Sequence, residues 1–127
     1  MVKMRARLTT LAWGGIALIL ATGVIHLIDA PSSFDDARYK GILFVANGAA
    51  AFVSALGIYR GARTWGWGLG ALVAGGALIG YVISRTVGLP GLEPDVWLEP
   101  LGVLSLVVEA AFLVVCFRAW SAAPPAT

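Results

Sequence analysis

Four stretches of this chain are so long, so apolar and so poor in charge that they read as helices crossing a lipid bilayer. They cover about residues 8–28, 41–59, 64–84 and 96–119, each close to the roughly 20 helical residues that span a hydrocarbon core of about 30 Å. Inside lipid every backbone N–H and C=O must be satisfied by the protein itself, so only helices and closed barrels cross it. The runs lack the period-two alternation of a barrel strand. The expected fold is therefore all-α: a single integral membrane domain, residues 1–127, built as an antiparallel bundle of four transmembrane helices. Composition agrees, because 59% of the residues are hydrophobic and 13% charged, where a soluble chain carries about a quarter charged.

A basic start before an apolar run also opens a secretory signal. Here the run is about 21 residues, a signal core about 7 to 15, and a cut after Ala30 would put Pro31 just beyond it. The run is therefore taken as a membrane helix. A net charge of +2, with bases not clustered among aromatics, argues against nucleic acid as a partner. The single cysteine, Cys116, allows no intrachain disulfide and no cysteine-based metal cluster. No P-loop, dinucleotide fingerprint, nucleophile elbow or H-E-x-x-H pattern occurs, so nothing points to an enzyme.

Orientation follows from the basic residues. The N-terminus, the 59–63 turn and the C-terminus share one side and carry Lys3, Arg5, Arg7, Arg60, Arg63 and Arg118 with no acid. The other side carries Arg38, Lys40 and Arg85 against Asp29, Asp35, Asp36, Glu93, Asp95 and Glu99. Six bases against three places both termini in the cytoplasm by the positive-inside rule, making a multi-pass protein of the cytoplasmic (inner) membrane. Trp65, Trp67, Trp97 and Trp120 are expected at the interface, where an indole keeps its ring in lipid and its N–H near water; Trp13 is expected to pack. The outer segment APSSFDDARYK is expected to be a loop, with Phe34 dipping back. TVGLPGLEP is expected to be a compact cap, and SAAPPAT a disordered tail.

Small residues mark close helix contacts, since lipid gives little hydrophobic drive between helices. Gly66, Gly70 and Ala74 form one row on helix three, Gly76, Gly80 and Ser84 another, and Gly48 to Ala51 lie on helix two. These rows predict that helix three is central; they also allow a homodimer face, with packing inside the chain favoured.

Glu109 is the strongest pointer to chemistry. It lies about 9 to 13 residues, or roughly 14 to 20 Å, into helix four, near the midplane. A carboxyl group there must face the interior, find a donor or stay protonated. Ser105 lies on its own face of the helix. The residue is a ligand or proton site, or else it ties helix four to Asn47 of helix two. His26, the only histidine, shares a face with Thr22, Gly23 and Asp29, and Asp29 is placed to orient the imidazole. It is either an interfacial histidine bonded to a loop carbonyl, or a ligand or proton carrier. Copper or zinc would need carboxylates from other segments, and haem a second axial ligand. Arg85 closes helix three; it pairs with Glu93, Asp95 or Glu99 to pin the following loop, or binds an anion. Glu99 before Pro100 is a helix-start pattern. His26, Asp29, Asn47, Arg85, Glu99, Ser105 and Glu109 are thus the candidate site, expected to line a blind outer cavity whose cytoplasmic half is apolar.

The string GYVISRTVGLPG followed by WLEPLGVLSLVVE, together with HLIDAP and GILFVANGAAAFVSALG, resembles a group of small four-helix bacterial membrane proteins common in actinobacteria. The resemblance implies a bacterial inner-membrane protein in which His26, Arg85 and Glu109 are worth testing, and it carries no activity or cofactor. Three functions fit these residues. One is a binding or accessory module for a cation, a metal or a protein partner on the outer side. Another is a small proton-coupled transporter working through Glu109. The third is a redox subunit holding haem or quinone near His26.

Overall fold

A computed structural model describes residues 8–122. Lys3, Arg5, Arg7 and all but the first two residues of the expected tail lie outside the described residues. Four long helices form the bundle: α1 (Thr10–Asp36), α2 (Arg38–Tyr59), α3 (Leu69–Arg85) and α4 (Pro100–Ser121). A π-helical segment, Arg63–Gly68, leads into α3, and each of the four runs is long and apolar enough to cross a membrane. Large apolar side chains such as Ile28, Leu43, Leu72, Ile79 and Phe117 stand on the outside of the bundle. In water such a surface would be a liability, whereas lipid accepts it.

The helices are arranged as a ring in chain order. α1 packs against α2 and α4, α3 packs against α2 and α4, and α1 barely meets α3 across the middle. The most engaged helices are therefore α1 and α2, not the expected α3. Only one of the two small rows of α3 packs closely: Gly66 lies against the backbone of Gly57 and Ile58, and Gly70 against Phe112 and Ser54. Around Gly76 and Gly80 there is open space.

The expected outer loop at 30–40 is mostly helix. Pro31 lies inside α1, which runs on to Asp36, and Ala37 alone joins it to α2. Proline removes one helical N–H bond and strains the preceding turn. Here Ala30 and Ser33 on either side are buried, so packing outweighs the local cost. Phe34 covers Gly41 at the corner, where a side chain on Gly41 would collide with its ring. At 27 residues, about 40 Å, α1 is longer than a hydrocarbon core of about 30 Å.

The π segment has a packing cause. Gly66 is pressed onto α2 so closely that a Cβ would lie 2.6 Å from the Ile58 nitrogen. The widened turn there leaves carbonyls to be satisfied. Ser54 donates to the Gly66 carbonyl at 2.6 Å, and the Cys116 thiol to that of Trp67 at 3.7 Å. Trp67 is turned inward, 9% exposed and stacked on Phe112, so it is a core residue and not an interfacial one. Trp13, expected to pack, is 53% exposed and meets Tyr59 edge-on. Ile19, Ala51, Ala55, Ile58, Trp67, Val73, Ala74, Phe112 and Cys116 fill this half of the bundle. The opposite half is hollow.

α4 starts at Pro100, four residues later than the hydropathy alone indicates. The Glu99 carboxylate accepts from the Gly102 and Leu101 N–H groups at 2.8 and 3.2 Å, and Pro100 occupies the first helical turn.

Candidate functional site

The hollow half contains a cavity of about 520 Å³, within the range of small-molecule sites. All seven candidate residues line it: His26, Asp29, Asn47, Arg85, Glu99, Ser105 and Glu109. It runs from exposed Ser32, Asp36 and Asp95 down to buried Ser105 and Glu109. Its existence follows from sequence, since Gly76, Ala77 and Gly80 give α3 almost no side-chain bulk on the wall facing the cavity. Glu93 is not part of it; it lines a smaller adjoining space of about 310 Å³.

At the floor, Glu109 is 1% exposed and lies about 14 Å along α4 from Pro100. Ser105, one turn back, donates a short hydrogen bond to its Oε2. The expected tie to Asn47 is not made. α2 and α4 stand diagonally with the cavity between them, so Asn47 turns to its neighbour α3 and donates through Nδ2 to the Val73 carbonyl at 3.2 Å. Its Oδ1 is buried and has no partner among the described residues.

His26 is 7% exposed, and its Nε2 lies 3.8 Å from Glu109 Oε2, longer than a hydrogen bond. Its Nδ1–H donates to the Thr22 carbonyl at 2.8 Å, so Thr22 and not Asp29 orients the ring. The cause is geometric: helical side chains lean towards the N-terminus, and His26 therefore reaches back to Thr22 rather than ahead to Asp29. Asp29 instead accepts from Ser32 at 3.2 Å beside the cavity.

Arg85 is held by several contacts at the mouth. Its Nε donates to the Val96 carbonyl at 2.9 Å and Nη1 to Ser84 at 2.8 Å. Nη2 lies 3.7 Å from Glu99, and the guanidinium sits 4.0 Å above the Tyr81 ring. Among the three acids weighed as partners, Glu99 is the one paired. Further ties fix the 86–99 loop beside the mouth. The Asp95 N–H donates to the Ser84 carbonyl at 2.8 Å, and the Tyr81 hydroxyl to that of Trp97 at 2.7 Å. Tyr39 reaches the Pro90 carbonyl at 2.5 Å. Gly88, at a φ of 88°, makes the turn that an L side chain resists.

Sequence reasoning missed Phe44, Tyr81 and Lys40, which also line the cavity. Phe44 precedes Asn47 by three residues and Tyr81 precedes Arg85 by four, so helical spacing from the polar candidates would have found both. Lys40 pairs with Asp36 at 2.6 Å.

Taken together, the lining holds five acids (Asp29, Asp36, Asp95, Glu99, Glu109) against two bases, Lys40 and Arg85. Both bases already have acidic partners within the same wall. Among the described residues no group of three or more His, Cys, Asp or Glu side chains is placed to hold a metal ion. Comparison with protein-family models, with curated proteins and with solved structures finds no match for this chain.

Proposed function

We propose that the protein is a membrane-embedded binding module whose cavity holds a small cationic ligand. We place it in the bacterial cytoplasmic membrane with the cavity mouth facing outward and both termini in the cytoplasm, following the distribution of bases in the sequence. The observation that carries the function is the excess of acids on the cavity wall, ending in a carboxyl group buried about 14 Å along α4 from Pro100. Such a group is costly in a membrane unless it serves a ligand, a proton or a partner. Excess negative charge in a low-dielectric cleft draws and holds positive charge.

The test is a binding survey in lipid nanodiscs with matched cationic, neutral and anionic small molecules, read as thermal stabilisation. Cationic compounds are expected to stabilise the wild type, and Glu109→Gln to weaken that binding about tenfold or more, equivalent to about 1.4 kcal/mol. Equal stabilisation by neutral compounds would sink the proposal.

A proton-coupled carrier is the second function, favoured by His26 facing Glu109 at 3.8 Å. It would have to open a path through Ile19, Ile58, Trp67 and Phe112, which fill the half of the bundle beyond Glu109. A pH-driven flux in proteoliposomes that disappears in Glu109→Gln would favour the carrier over the module.

A further inference from the structure

We infer that the ligand is a primary ammonium compound with an apolar body. This rests on the cation-binding role proposed above and narrows it. Two acceptors from two helices border the inner part of the cavity: His26 Nε2 of α1 and the Glu109 carboxyl group of α4. The His26 Nδ1–H is used on the Thr22 carbonyl, so a neutral ring turns a lone pair outward from Nε2. Ser105 donates to Glu109 Oε2, and as a carboxylate Glu109 has acceptors only.

The spacing calls for an inserted donor. Nε2 and Oε2 are 3.8 Å apart, too far to bond to each other. A nitrogen placed between them reaches both at about 2.9 Å. An R–NH₃⁺ group carries three N–H donors and no acceptor, enough for Nε2 and for both oxygens of the carboxylate. A quaternary ammonium has no donor to offer and is recognised by faces of aromatic rings. This cavity cannot build such a cage, because Arg85 already covers the Tyr81 ring at 4.0 Å, leaving Phe44. Hard divalent ions need about six or more oxygen ligands, more than this floor provides. The body of the ligand has room along α3, where a Cβ at Gly76 or Gly80 would meet nothing within 4 Å.

The experiment compares 2-phenylethylamine, its N,N,N-trimethyl analogue and neutral 2-phenylethanol, titrated calorimetrically into the whole protein in nanodiscs. The wild-type protein is expected to bind the amine about tenfold or more tighter than either analogue. In His26→Phe the amine is expected to lose most of that advantage over the trimethyl compound, with circular dichroism confirming intact helices. A trimethyl analogue bound within tenfold of the amine overturns the ammonium assignment and leaves the cation module standing. Failure of both cations to bind the folded wild type, or equal binding of the neutral alcohol, overturns both.

Discussion

Glu109 and its surroundings distinguish a site from a structural tie. A buried carboxyl that served only to hold two helices together would lose stability when replaced by an apolar residue, whereas one kept for a ligand costs stability in the empty protein. In this structure its hydrogen-bond donor is Ser105 of its own helix, so it bonds no other helix. Glu109→Leu is therefore expected to stabilise the bundle by about 1 to 2 kcal/mol in denaturant unfolding, while abolishing cation binding. Loss of stability would return Glu109 to a structural role. Tyr81 is the opposite case. Its hydroxyl ties the loop at Trp97, so Tyr81→Phe should cost about 1 kcal/mol and raise amide exchange over residues 95–98. Both kinds of residue line one cavity, but they were not equally visible. Glu109, His26 and Asn47 stand out because a polar group in an apolar run is costly and therefore conspicuous. Phe44 and Tyr81 carry no such contrast against their neighbours. The orientation of His26 by Thr22 rather than Asp29 depends on the lean of helical side chains, which a face diagram omits.

Between helices, the glycines divide into those that let backbones touch and those that leave space. Gly66 has the backbone of α2 directly against it, while Gly80 has nothing within 4 Å. Substituting the two should therefore have unrelated effects. Gly66→Val is expected to destabilise by about 3 kcal/mol or more, as overpacking against rigid backbone does. Gly80→Val should leave stability near wild type yet weaken binding of a cationic probe by filling the cavity wall. Unfolding and binding measurements on the pair check both outcomes; equal destabilisation would mean that the cavity is closed by packing in the membrane. The count and type of helices were legible because four uncharged runs leave no other option in lipid. Their ends were less so. Pro31 looked like a stop, but burial of Ala30 and Ser33 carries α1 past it. The π segment was invisible, since it arises from the contact of Gly66 with α2 and from carbonyl partners on Ser54 and Cys116, both distant in sequence.

The molecule as a whole is a bundle closed at one end and hollow at the other. Trp67 and Phe112 block the half that holds the start of α1, and glycine-lined walls open the half that holds the 86–99 loop. Such asymmetry makes direction in the membrane decisive, because the mouth serves whichever compartment it faces. Exposed acids collect at the mouth, among them Asp35, Glu93 and Asp95, while Arg60, Arg63 and Arg118 lie at the closed end. The proposed orientation, with bases retained on the cytoplasmic side, predicts a mouth that faces outward. In a Cys116→Ser background, single cysteines at Asp35→Cys and Glu93→Cys should react with a membrane-impermeant maleimide added to intact cells. Arg60→Cys should react only after the membrane is opened. All three positions are exposed in the structure, so a failure to label reports the barrier and not burial. The reverse pattern would make the cavity a cytoplasmic one, and its ligand would then have to come from inside the cell.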